Sequence, residues 1–198
     1  MPSIIRPALV MFGALSLLCG VLYPAAVTGI GRVAFAHQAD GSLLEAGGRT
    51  VGSSLIGQPF SSPRYFWGRP SATAPMADNA AGSSGSNQGP TNPALLDAVK
   101  ARVAALKQAD PGKRAPIPVD LVTASASGVD PEISIAAAEY QAARVAAARN
   151  LPEQQVRALI EAQRKDPALG FLGEPRVNVL ALNLALDLTM DGKAPRAR

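Results

Sequence analysis

The residues that could do chemistry are few. Ser125 and Ser127 stand in DLVTASASGVDPE, between an apolar run at 119–122 and a helical pattern. A serine on a turn between a strand and a helix is the setting of a hydrolase nucleophile elbow, but the G-x-S-x-G sequence is missing. The only histidine is His37, in a polar stretch far upstream. The plainer reading is that Thr123, Ser125, Ser127 and Asp130 satisfy backbone groups at a helix start. Glu132, Glu139, Glu174 and Asp187 show no spacing that pairs them. One histidine and one cysteine, Cys19, rule out an intrachain disulfide, a cysteine zinc cluster and a two-histidine metal site built from this chain alone. The glycine-rich GSNQGPTNP at 85–93 lacks both the G-x-x-x-x-G-K-[ST] and the G-x-G-x-x-G pattern, so it is read as turns rather than a phosphate cradle. YFWGRPS at 65–71 sets three aromatics beside Arg69, which is read as packed under the domain with the arginine paired to a carboxylate.

These residues need a scaffold, and the first element is an uncharged run from Pro7 to Gly31, with Arg6 before it and Arg32 after it. As a helix it would be about 37 Å long at ~1.5 Å per residue, against about 30 Å of bilayer hydrocarbon. Ala34-Phe35-Ala36 has the form of a signal-peptide cleavage site, yet the run exceeds an ordinary leader's apolar core. A retained anchor is therefore expected. Pro24 lies inside it, and Ser16 with Gly20 and Ala25 with Gly29 form small-residue pairs that suit helix packing in a membrane. The short N-terminus is expected in the cytoplasm and the long remainder outside, since long domains translocate largely regardless of charge.

The chain of 198 residues carries a formal charge of +4, but from His37 onward 17 basic residues face 15 acidic ones. With no long basic run and few aromatics, nucleic-acid binding is not expected. The organisation reads as a cytoplasmic N-terminus at 1–6, a membrane helix at 7–31, a connector at 32–47, a mixed α/β (α+β) domain at 48–190, and a disordered tail at 191–198.

Within that domain, Val51, Leu55 and Ile56 among glycines suggest extended structure. Residues 71–93 form a long irregular loop. Asn92 caps a helix with Pro93 in its first turn, and Leu95, Val99, Val103 and Leu106 form its apolar stripe. Val119, Leu121 and Val122 suggest a short buried strand. Asp130 and Pro131 are expected to open an alanine-rich helix reaching Arg149, and Leu151-Pro152-Glu153 opens another with Val156, Leu159 and Ile160 on one side. The segment VNVLALNLALDL at 177–188 alternates like a strand but lacks β-branched residues at 180–188; a helix capped by Asn178 is expected.

Seven ordered stretches carry a family resemblance: LYPAAVTGIGRVAF (22–35), HQADGSL (37–43), VGSSLIGQPF (51–60), YFWGRPSA (65–72), GSNQGPTNP (85–93), DLVTASASGVDPEISIAAAEYQAARVAAAR (120–149) and FLGEPRVNVLALNLALD (171–187). Together they resemble the C subunit of the Kdp-type potassium-transporting P-type ATPase. Asp40 departs from an expected asparagine. The resemblance implies a single-pass protein of the bacterial cytoplasmic (inner) membrane with its domain on the outer side. Its implied partners are a channel-like potassium-translocating subunit, a P-type ATPase subunit and a small single-helix subunit, with lipid around the anchor. ATP and potassium belong to the complex, and catalysis to another subunit: the Asp-Lys-Thr-Gly-Thr motif of pumps does not occur here. The implied role is to assemble and stabilise the complex, either as a catalytic chaperone that raises the pump's ATP affinity or as a cap or filter over the potassium entrance. The matched stretches implicate Arg69, Asn87, Asp130, Gln141, Arg144, Glu174 and Arg176 at interfaces or in the fold.

Overall fold

In the computed structural model, residues 3–190 are described, without the Met190 side chain; the tail expected at 191–198 lies outside them. The chain divides into two units, Met1–Leu43 and Leu44–Arg198.

The first unit is dominated by one helix, α1 (Ile5–Ala34), with a mean hydropathy of 2.0 in its most apolar window. It is long and apolar enough to cross a membrane by length and composition, and none of its residues is buried. Its winding widens to a π turn at Leu18–Leu22. The cause is local: Pro24 has no N–H to give the Gly20 carbonyl, and its ring crowds that carbonyl. One widened turn rotates everything after it, so the Ser16–Gly20 and Ala25–Gly29 pairs are offset from the faces a uniform helix would give them. A Cβ on Gly20 or Gly29 would meet nothing within 4 Å, so both faces stand open. After a break at Phe35, a short helix α2 (Ala36–Ala39) carries the exposed His37.

A hairpin of β1 (Leu43–Ala46) and β2 (Arg49–Ser53) begins at the last residue of the first unit and otherwise belongs to the second. Gly47 and Gly48 both have positive φ, 59° and 75°, the combination a two-residue type I′ turn demands. Helix α3 (Pro93–Ala109) follows the long loop. As expected, Asn92 caps it by accepting the Ala94 amide, Pro93 sits in its first turn, and Leu106 is its buried residue.

Two strand–helix units then lie side by side. Strand β3 (Glu132–Ser134) runs directly into α4 (Ile135–Arg149), and β5 (Arg176–Asn178) runs directly into α6 (Val179–Met190). The strands pair antiparallel, with Ile133 opposite Val177 and both buried. Each junction residue caps its own helix: Ser134 accepts the Ala137 amide and Asn178 the Ala181 amide. Helix α5 (Glu153–Ala162) and the two-residue strand β4 (Arg164–Lys165) lie between them, and β4 pairs with the other edge of β5.

The core is built on small side chains. Ala137, Ala138, Ala142 and Ala146 bring the α4 backbone close to its neighbours, and Val145, Val156, Ile160, Leu182 and Leu186 fill the space between α4, α5 and α6.

Two expectations need correction. Residues 119–121 form a 3-10 turn rather than a buried strand: Leu121 and Val122 are buried, but Val119 points out at 70 % exposure. Asp130 does not cap α4. Its Oδ1 accepts the Glu132 amide, and three extended residues intervene before the helix. Those residues pair with a segment more than forty positions away, and no local pattern carries that information. The helix expected at 177–188 is present as α6, but its first two positions belong to β5.

Candidate functional site

The site is organised around residues 63–70, a turn at its start that runs into an irregular stretch, paired with no strand among the described residues. A buried backbone without a ladder must find other partners, and here side chains of α4 and α6 supply them. Asn183 on α6 accepts the Phe66 N–H at 2.9 Å and donates to the Phe66 carbonyl at 3.0 Å. Gln141 on α4 does the same for Trp67, at 2.8 and 3.1 Å. Each carboxamide thus imitates the edge of a neighbouring strand. Arg144 donates to the carbonyls of Pro63 (2.6 Å) and Tyr65 (3.2 Å), and Arg149 donates to that of Arg64 (2.6 Å).

The arginines also stack on the aromatics of the same segment, Arg144 4.6 Å from the Trp67 ring centre and Arg149 4.7 Å from that of Tyr65. Asp187 completes the second pair, accepting from Arg149 Nη2 at 2.8 Å and from the Tyr65 hydroxyl at 3.1 Å. Phe66 is fully buried between these contacts. Burial lowers the pKa of the Arg144 guanidinium to about 10, partly opposed by Asp110; the side chain stays charged at physiological pH.

The strap ends at Arg69, whose Nη1 meets Asp130 Oδ2 at 3.0 Å, the carboxylate pairing expected from the sequence. A cleft of about 580 Å³ opens there. Arg69, Asp130, Val119, Asp120 and Glu132 line it, and Gly173, Glu174, Pro175 and Arg176 form one wall. Arg176 does not pair with Glu174 as its neighbour in sequence. It reaches across the sheet to Glu132 at 2.6 Å, which also takes Lys165 at 3.0 Å. Glu174 is exposed and has no ion-pair or hydrogen-bond partner among the described residues. On the other side of the strap a smaller cavity of about 220 Å³ is lined by Trp67, Arg69, Asp78 and Arg102. The Asp78 carboxyl there is raised above its ordinary pKa by burial and by the charge of Asp130.

The loop after the strap is tied down by hydroxyls. Ser71 Oγ donates to the Gly128 carbonyl at 2.6 Å and accepts the Asp78 amide at 3.0 Å. Ser83 donates to the Ser127 carbonyl. Ser125 accepts the Gly128 amide and Ser127 the Val129 amide, so the two serines singled out for chemistry hold a turn. Gly128 has φ +70°, and a Cβ there would sit 2.5 Å from the Ser84 carbonyl oxygen.

The residues implicated by the matched stretches therefore separate. Arg69, Asp130, Glu174 and Arg176 share the larger cleft, while Gln141 and Arg144 lie under the strap. Asn87 stands apart, exposed on the loop with φ +50°, a conformation asparagine tolerates. Sequence reasoning missed Asn183, Arg149, Asp78 and Ser71. Asn183 had a signal: a lone carboxamide in LALNLALDL is a polar group that a buried helix must satisfy.

Comparison with known proteins bears on what this arrangement serves. A family model described as "KdpC: K+-transporting ATPase, c chain" matches residues 5–188. The chain belongs to the KdpC family. Among its relatives, the potassium-transporting ATPase KdpC subunit of Herminiimonas arsenicoxydans is 66 % identical over 187 residues, covering 94 % of this chain and 98 % of that protein. The KdpC subunit of Methylibium petroleiphilum is 63 % identical over 195 residues, covering 98 % of this chain and all of that protein. Both α1 and the strap fall inside the span matched by the KdpC family.

Proposed function

We propose that this chain is the accessory, non-catalytic subunit of an ATP-driven potassium uptake complex. In this reading α1 is a retained membrane anchor, and the α/β domain stands on the outer face, where it assembles and caps the potassium-translocating subunit. The pump subunit hydrolyses ATP, and a small single-helix subunit completes the assembly. The observation that carries the reading is the family match over residues 5–188, a span that takes in both α1 and the domain. The chemistry of the domain supports it. The hydroxyls of Ser125 and Ser127 are engaged with backbone amides, and the buried arginines are engaged with carbonyls and aromatic rings. Those groups build a rigid body; none is held ready for a reaction. The uncovered apolar length of α1 supports a lipid setting, with Ser16, Gly20, Pro24, Ala25 and Gly29 as the places where another helix approaches.

The test is co-expression of the full chain, and of a form lacking residues 1–34, with the other subunits of the complex. The full chain is expected to co-purify with them and to support growth at low potassium; the shortened form is expected to lose both. Stable assembly and uptake without this chain would overturn the proposal. Measuring the pump's KM for ATP in the same preparations separates a cap from a chaperone: a cap leaves it unchanged, and a chaperone lowers it.

A further inference from the structure

The loop between β4 and β5 presents an apolar tip. Leu169 is 82 % exposed, Phe171 73 % and Leu172 53 %. The tip is built as a fixed turn. Ala168 pairs with Leu172, Gly170 donates to the Pro167 carbonyl, and Phe171 and Leu172 both donate to the Ala168 carbonyl. Leu169 is held at φ +56°, a conformation a bulky residue adopts at a cost. A chain that had only to join β4 to β5 would place glycine or asparagine there and polar residues beside it. The tip runs straight into Gly173-Glu174-Pro175, one wall of the larger cleft, whose lining also carries the exposed Val119.

The charges around the tip say what kind of surface it meets. Arg164 is taken by Glu161 and Asp166, while Lys165 and Arg176 are taken by Glu132, and Arg69 by Asp130. Glu174 and Asp120 remain without an ionic partner among the described residues. An apolar tip made for an anionic bilayer carries free basic flanks; the free flank here is acidic. The same face of a second copy would offer Glu174 no free cation, because its Arg69, Arg164, Lys165 and Arg176 are already paired. The remaining occupant is a different polypeptide with an apolar surface and a lysine or arginine placed to meet Glu174.

We propose that the Leu169–Phe171–Leu172 tip, with Glu174 and Val119 beside it, is the surface through which this domain docks on a partner subunit that presents such a basic side chain among apolar residues. The proposal rests on the assembly reading above and goes beyond it by naming the surface and the partner's chemistry.

The experiment uses the co-expressed complex. Phe171→Ser with Leu172→Ser is compared with Glu174→Lys and with the unsubstituted chain, and partner subunits retained through extraction and gel filtration are quantified. In a third sample, residue 171 carries a photo-reactive benzophenone side chain, and the cross-linked product is identified by mass. The double substitution is expected to lower retention about tenfold or more, and Glu174→Lys to lower it in the same direction. Trp67 emission should be unchanged in both, because the tip lies outside the core. The cross-link is expected to join the chain to another subunit. Unchanged retention, or a cross-link to lipid or to a second copy, overturns the proposal. If the double substitution disturbs Trp67 emission, the cross-link alone decides. Failure of the unsubstituted chain to co-purify with any subunit would overturn the assembly reading itself; co-purification that the tip variants share would overturn only the docking surface.

Discussion

Asn183→Leu tests whether side chains rather than a sheet hold the strap. The substitution keeps the position filled and removes both hydrogen bonds to Phe66, leaving a buried N–H and a buried C=O unpaired. Each such group costs about 1–3 kcal/mol when its partner is removed. The gross cost is therefore roughly 2–6 kcal/mol. Leucine regains part of it, because the variant no longer buries a carboxamide, so a net loss of about 3 kcal/mol is expected. For a domain of this size that is a fall in melting midpoint of roughly 6–12 °C. Trp67 is the only tryptophan and lies next to Phe66 on the strap. Its emission during a thermal melt of the full chain in detergent micelles therefore reads the strap directly. Amide exchange at Phe66 and Trp67 should accelerate in parallel. If Asn183→Leu melts within about 2 °C of the unsubstituted chain, corresponding to no more than about 1 kcal/mol, the strap is held by packing alone and the argument from its hydrogen bonds is wrong.

Two further outcomes follow from the same region. The Asp78 carboxyl has a raised pKa, so the folded state holds its proton more readily than the unfolded one; its contribution favours folding as pH falls toward its ordinary value of 3.8 and is lost as pH rises through the folded-state value. Asp78→Asn should therefore raise the melting midpoint at pH 7, with the gain vanishing below about pH 4; a gain that persists unchanged in acid would show that charge is not its source. Gly128→Ala forces a side chain onto a positive-φ residue and into the Ser84 carbonyl, so it should cost more than the roughly 1 kcal/mol of backbone strain alone and speed amide exchange across residues 71–85. Exchange rates and stability equal to the unsubstituted chain would refute the close approach.

What was legible in the sequence was local. The Asn92 cap, Pro93 in the first turn of α3, the end of α4 at Arg149, the start of α5 and the capping of α6 by Asn178 are all written within four residues of where they act. The pairing of Arg69 with a carboxylate was legible as a type of contact. The strands of the three-stranded sheet were not, because three residues or fewer give no alternation to read. The mistaken cap at Asp130 has the same origin: Asp-Pro before an apolar run is a good helix start, and only pairing with β5 extends the chain past it. The strap was illegible for another reason. Its bonds join residues 74 to 117 positions apart, from side chain to backbone. No periodicity reports such a contact. What the sequence does carry is the oddity of Gln141, Arg144, Arg149 and Asn183 on helices otherwise rich in alanine and leucine.

That oddity explains how a small sheet supports the cleft. Three short strands cannot by themselves fix a surface. Here β3 and β5 each continue into a helix, and those two helices hold one strap between them: α4 through Gln141, Arg144 and Arg149, α6 through Asn183 and Asp187. The strap delivers Arg69 to Asp130, two residues before β3 begins, while Glu174 and Arg176 arrive at the cleft from the lead-in to β5. The cleft wall is therefore fixed from both strands and from both helices at once. Buried polar groups cost stability when left unpaired but specify one arrangement when every member is satisfied, and the paired carboxamides under the strap meet that condition. For the assembly role proposed above, what counts is a surface that arrives at its partner already in shape, because ordering a loop at the moment of docking would be subtracted from the binding energy.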